Sequence, residues 1–344
     1  MVLKTLVAAV LTMGLGAGFV HGQDPKAFFK DRVKLTDAEI QTMEKGQVVT
    51  KVLQSGDPTY GILVFGGVYI NGTVEKFTQV VRDVSKLQGE KVYLAVQEFS
   101  KIGAPPKMSD FARLELEKKD IDEIQGCKAG DCDVQVIDIE GLKQKIDWKS
   151  QNKYALANQE LRRRLFDGMT RYLSGGLKSL GSYVDRSKPL NLYQATKDMA
   201  DKSYYLPAAK APDIYRHVID YPQGKLAGAE DIFYWEKIDF GQEPTVRVNH
   251  LMLFPNGVGT VKLVVANKQI YSSRYIRTAL QMFYAVPDTK NPNTPGFFLI
   301  SMNDSRMPDF GSLKLAIVRK VATGKAVEGT RDTLEIYQRR TTGK

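Results

Sequence analysis

Few side chains in this chain are equipped for catalysis. Only His21, His217 and His250 carry an imidazole. The sequence contains no G-x-S-x-G elbow, no H-E-x-x-H pair and no phosphate-binding P-loop. The glycines of GLGAGF, residues 14–19, fall inside an apolar leader and so are not a nucleotide loop. Glu230 and Asp231 are adjacent carboxylates before a strand, and neighbouring strand residues point to opposite faces, which argues against a shared acid–base role. His250 sits mid-strand in VRVNHLML, where a hydrogen-bonded strand histidine is the ordinary reading. The expectation is therefore no catalytic residue, no metal ligand and no cofactor.

Binding chemistry is better represented. The stretch Val261–Val286, VKLVVANKQIYSSRYIRTALQMFYAV, alternates apolar and polar residues, and several of its polar positions are charged or phenolic. With a period of two, Gln269, Tyr271, Ser273, Tyr275 and Arg277 share one face, and Lys268, Ile270, Ser272, Arg274 and Ile276 share the other. One face must cover a core or a cavity, and a ligand pocket is mostly apolar with a few placed polar groups. Tyr271, Arg274 and Tyr275, together with His250, Asn303 and Arg306, are thus the candidate ligand-binding residues. The competing reading is a solvated strand face with surface arginines.

The N-terminus sets the compartment. MVLK is followed by a run of apolar and small residues and then HGQDP, the pattern of a secretory signal peptide with cleavage after Gly22. Export, to the periplasm or the extracellular space, makes Cys127 and Cys132 in GCKAGDCD a structural disulfide in preference to a metal or redox pair. The net charge of +10 points to anionic membrane surfaces or wall polymers as possible peripheral contacts, not to nucleic acid. The run Arg162-Arg163-Arg164 reads as the solvated face of an amphipathic helix.

A hydrophobic content of 43% is ample for a sizeable core. After the leader (1–22), residues 23–102 read as helix, strand, strand, amphipathic helix and strand. Thr36 and Glu39 form a capping box, and Thr73 caps the second helix. The pair Gly66-Gly67 inside GILVFGGVYI suggests a bulge or a close backbone approach. Residues 103–230 are mainly helical, an insertion or lobe. Residues 231–344 hold DIFYWEKIDF, TVRVNHLMLFP, the stretch above and GFFLISMND, an antiparallel meander with a bend or bulge expected near Ser272-Ser273. After Gly311 comes a short strand-like piece around Leu313–Val318 and then a closing helix with basic residues at its end. The fold class is α+β, a curved antiparallel sheet with a C-terminal helix and a large helical insertion.

That order resembles the START-like, helix-grip superfamily. The resemblance is carried by VFGGVYINGTVEKFTQVVRDVSKL at the front and GFFLISMNDSRMPDFGSLKLAIVRKVATGKAVEGTRDTLEIYQ at the back, and it covers about 60–100 and 231–340. The chain also resembles uncharacterised exported bacterial proteins with a GDCDV-type segment, here residues 130–134. The first resemblance implies a sheet wrapped around a long C-terminal helix, with an apolar small molecule or lipid between them. An exported binding protein is the leading expectation. An enzyme of hydrolase-like type and a cell-envelope interaction module are the alternatives.

Overall fold

In the computed structural model, which describes residues 25–99, 105–128, 131–136, 138–185, 188–203, 205–206, 211–239, 241–288, 296–309 and 312–343, the strand-rich ends of the chain form one sheet. The N-terminal part contributes α1 (Pro25–Phe28), α2 (Asp37–Glu44), β1 (Val49–Leu53), β2 (Gly61–Ile70), α3 (Val74–Arg82) and β3 (Tyr93–Glu98). A mainly helical stretch follows, with α4 (Lys118–Gly126), α5 (Ile139–Gln144), α6 (Lys153–Gly175), a small hairpin β4 (Ser182–Asp185) and β5 (Lys188–Asn191), α7 (Leu192–Asp201) and α8 (Pro212–Asp220). The C-terminal part is β6 (Glu230–Ile238), β7 (Thr245–Phe254), β8 (Leu263–Ser272), β9 (Thr278–Pro287), β10 (Phe297–Arg306) and α9 (Ser312–Thr342). The proposed signal peptide lies outside the described residues. Among them, no helix is long and apolar enough to cross a membrane.

The sheet is antiparallel throughout, in the order β1-β2-β10-β9-β8-β7-β6-β3. β6 to β10 form the meander expected from their short turns, and β10 then pairs with β2 at the front of the chain. Both faces of the sheet are covered. One packs against α2, α7, α8 and the rest of the helical stretch through Phe65, Met252, Phe254, Trp235 and Met302. The other packs against α3 and the C-terminal half of α9, where Phe77, Val81, Phe283, Leu299, Leu334 and Tyr337 meet. Because both faces are buried, β2 reads as an almost continuous apolar run and not as a clean alternation.

The sheet curls around α9. Arg331 donates from the helix to the Val48 carbonyl beside β1, at 3.1 Å, while Arg339 pairs with Glu90 just before β3, at 2.6 Å. The two edge strands lie at opposite ends of the strand order, yet both ends of the sheet reach the same helix. Lys325 closes another side, with its Nζ 3.0 Å from where a Cβ on Gly241, in the β6–β7 loop, would stand. This is a helix-grip-like arrangement.

Four local expectations are refined. The pairing of β2 runs without interruption through Gly66 and Gly67, so the glycines serve close approach and not a bulge. A Cβ on Gly66 would stand 2.6 Å from Leu334 Cδ1 of α9, and one on Gly67 2.5 Å from Met43 Sδ of α2. The stretch Val261–Val286 is a hairpin, β8 and β9, which reverses just after Ser272. A register shift in β8, where Asn249 faces Gln269 but Val248 faces Tyr271, breaks the period-two face assignment. The piece around Leu313–Val318 belongs to α9, which is helical from Ser312 onward.

Candidate functional site

The face of the sheet under α9 changes character halfway along its strands. Its apolar half is packed against α3 and the C-terminal half of α9. Its other half carries Glu236 and Tyr234 on β6, Arg247 and Asn249 on β7, Asn267 and Gln269 on β8, Gln281 on β9, and Ser301 and Asn303 on β10. Central strands buried on both faces do not need polar residues for folding, so this patch calls for a reason.

Exposure supplies one. In the interior of β7, β8 and β9, Arg247, Asn267 and Gln281 are the partly exposed residues, and their strand neighbours are buried. Asn303 of β10 continues the row. Register places Asn303 opposite Gln281, and Gln281 opposite Asn267, so three carboxamides stand side by side on adjacent strands. Arg247 is surrounded by protein, yet its side chain keeps 19% of its exposure. Tyr93 on β3 is likewise deep and only partly covered. Their partial exposure, on the sheet face that α9 covers, marks a recess in the packing beside that helix.

One wall of the recess is apolar. Ile62 and Val64 of β2 and Met307 pack against Leu315, Val318, Ala322, Ala326 and Val327 of α9. Val64 is the register partner of Asn303, so this strip lies beside the carboxamide row. Polar contacts within the row are ordered. Arg247 Nε and Asn249 Nδ2 both donate to Glu236 Oε1, at 2.8 and 2.9 Å. Asn267 Nδ2 donates to Tyr234 Oη at 2.9 Å, Gln281 Nε2 to Ser301 Oγ at 3.2 Å, and Asn303 Nδ2 to Thr330 Oγ1 of α9 at 3.2 Å. Burial drives the Tyr93 and Tyr234 phenols well above their ordinary range, so both remain neutral donors.

A second polar cluster lies on the opposite face, its imidazoles buried and its Asp231 Oδ2 3.4 Å from Nζ of the exposed Lys225. Asp231 Oδ1 accepts from His217 Nε2 at 2.7 Å and from His250 Nε2 at 2.8 Å. His250 Nδ1 meets the Tyr172 hydroxyl of α6 at 2.7 Å, and the Leu226 N–H donates to His217 Nδ1 at 2.9 Å. Both imidazoles are fully buried. Burial pushes the His250 imidazole down to about 3 against the pull of Asp231, so it is neutral. Burial raises the Asp231 carboxyl, and the two histidine hydrogen bonds more than reverse this, holding it well below its usual range. Lys268, the register partner of His250, is also fully buried; its Nζ donates to the Val218 carbonyl and lies 5.4 Å from the Tyr172 ring centroid. Burial lowers this amine to about 7.

His217, Asp231 and His250 bring three donor atoms within 4.8 Å, close enough to hold a metal ion. Tautomer chemistry argues against that use. The Leu226 N–H can only donate, so His217 Nδ1 must accept and Nε2 must carry the proton. A metal-binding histidine has the reverse arrangement, its free nitrogen donating outward. The cluster therefore reads as a hydrogen-bonded anchor that ties α6 and α8 to the sheet.

The six residues singled out from the sequence are dispersed. Asn303 lies in the recess. His250 belongs to the second cluster. Tyr271 is buried under the helical stretch, its hydroxyl donating to the Gln135 carbonyl at 2.6 Å. Arg274 is 4% exposed and pairs with Asp120 and Glu123 of α4, at 2.5 and 2.8 Å. Tyr275 has a φ of 61° and accepts the Glu243 N–H through its hydroxyl at 3.3 Å. Arg306 donates to Asp57 at 3.3 Å and stacks over the Tyr60 ring. Cys127 and Cys132 form the expected disulfide. Asn267, Gln281 and Arg247 were not singled out. The available signal was a carboxamide or guanidinium at one core-facing position on each of three consecutive strands.

Comparison with known proteins gives little to set beside this geometry. No family model matches the chain, and no curated protein matches it. Among solved structures, the Zhui aromatase/cyclase from Streptomyces sp. R1128 is similar at 13% identity and a TM-score of 0.25, over 34% of this chain and 70% of that one. At that level the likeness carries no functional argument, and the fold description rests on the strand order and α9.

Proposed function

We propose that this chain is a soluble, exported binding protein that takes a lipid-like, amphipathic ligand into the recess between the sheet and α9. The observation that carries this reading is the row Arg247, Asn267, Gln281 and Asn303, partly exposed in the middle of strands that are otherwise buried. A folded core does not leave such a row open without use, and an apolar wall beside a few placed polar groups is the usual make-up of a ligand site. The partly covered Val318, Ala322 and Val327 of α9 suit an apolar chain, and the carboxamides suit a head group. The leader pattern and the disulfide support export, and the basic balance fits peripheral contact with an anionic membrane surface. Binding is favoured over hydrolysis because both histidines outside the leader are buried in the anchor cluster.

Native mass spectrometry of protein purified without detergent tests the reading, together with titration of a fluorescent alkyl probe. A saturable one-to-one site is expected, and Gln281→Trp, which fills the recess, should abolish it while the chain stays folded. An equal response from the Gln281→Trp variant would remove the recess as the site.

A further inference from the structure

Building on that reading of the recess, we infer that the ligand's head group is uncharged and rich in hydroxyls, of the chemical class carried by alkyl glycosides and polyol lipids. Asn303, Gln281 and Asn267 stand in direct register on β10, β9 and β8, at the strand spacing of about 4.8 Å. Each amide is already oriented by one donated hydrogen bond, to Thr330, Ser301 and Tyr234 respectively. Among the described residues, no hydrogen bond reaches the carbonyl oxygens of these three amides, and that of Asn267 is buried without a donor. Gln281 and Asn303 therefore offer a carbonyl acceptor and a second N–H at two adjacent steps, with the enclosed Asn267 amide behind them.

A hydroxyl both donates and accepts, and adjacent hydroxyls on a ring or chain can meet such a row one after another. Charged heads fit less well. The charges beside the row, Arg247 and Glu236, are paired with one another at 2.8 Å between Nε and Oε1. The second oxygen of Glu236 is enclosed, so an ammonium, carboxylate or sulfate drawn into the recess would shed its water and meet only a neutralised pair, and that desolvation is costly. The partly covered Val318 and Val327 of α9 pack on Ile62 and Val64, and Val64 is the register partner of Asn303, so apolar surface of α9 lies beside the row.

Calorimetric titration of the full chain with octyl glucoside, octyltrimethylammonium and octyl sulfate, all below their micelle concentrations, tests this. Octyl glucoside should bind at least about tenfold more tightly than either charged amphiphile. Gln281→Leu should erase that preference by weakening the glucoside about tenfold and leaving the other two unchanged; Gln281→Met serves the same purpose should the leucine variant melt early. Equal binding of all three by the native chain, or an unchanged preference in the variants, would overturn the head-group inference and leave the binding function standing. Absence of binding by any of the three, with the fluorescent alkyl probe also silent, would overturn both.

Discussion

Replacing Lys268 with methionine should make this protein more stable and flatten its response to alkali. The Lys268 amine is fully buried between β8, α6 and α8, and burial lowers it from 10.5 to about 7. Unfolding returns it to water, where it regains its ordinary affinity for the proton. Between pH 7 and 10.5 the unfolded chain thus holds more protons than the folded one, and stability rises with pH across that window. At pH 7 the linkage amounts to about 4 kcal/mol against folding, from a shift of roughly 3.5 pH units at 1.36 kcal/mol each, less the half-titration at its midpoint. Methionine has a similar length and no charge, so Lys268→Met removes that cost. It also strips the Val218 carbonyl of its donor, a loss of about 1–3 kcal/mol. The net expectation at pH 7 is a gain of about 1–3 kcal/mol. Urea unfolding followed by far-ultraviolet circular dichroism at pH 7 and pH 9 reads both quantities. The native chain should gain about 2 kcal/mol over that interval from this group alone, and the variant should lack that increment. Because other titrating groups are common to both proteins, the difference between them isolates Lys268. An identical pH increment in both, or a variant that is weaker at pH 7, would refute the reasoning.

Further substitutions examine the scaffold at two places. Gly66→Ala places a methyl 2.6 Å from Leu334 Cδ1 and 2.7 Å from Thr330 Cγ2, and should cost about 1–3 kcal/mol by forcing α9 off β2, whereas Gly126→Ala, with nothing within 4 Å, should shift the melting midpoint little. Arg274→Leu leaves the Asp120 carboxylate buried without its guanidinium and should lose about 3–5 kcal/mol, while the double change Arg274→Leu with Asp120→Leu should recover much of it. Melting curves decide both cases, and a double variant no better than the single would show that the ion pair is not what Arg274 supplies.

Elements with local signatures were legible in the sequence. GILVFGGVYI is β2 from end to end, Thr36 makes its capping box, and Thr73 caps α3. What failed was whatever depends on partners far along the chain. The first half of α9 packs Leu315, Val318, Ala322 and Ala326 on β2 but also leaves Ile317 and Val321 exposed, and these extra apolar residues blur its stripe, so it read in part as a strand. The β8 register shift cannot be seen without β7, and it sends Tyr271 to the face that period two had assigned to Ile270. Arg274 looked like a ligand contact because its partner, Asp120, lies 154 residues away. Asn267 and Gln281 looked like an ordinary polar strand face, since a carboxamide over a recess and one in bulk water have the same sequence.

The pairing of β2 with β10 has a consequence in time. Gly61 meets Arg306, and Ile70 meets Phe297, so β2 cannot complete its pairing until β10, more than 200 residues later, is available. Contacts this remote make for slow folding, because a long loop must be ordered before they form. The helix around which the sheet curls follows β10 in the chain. A nascent chain with this topology keeps its front strands unpaired on one side until β10 and α9 have emerged.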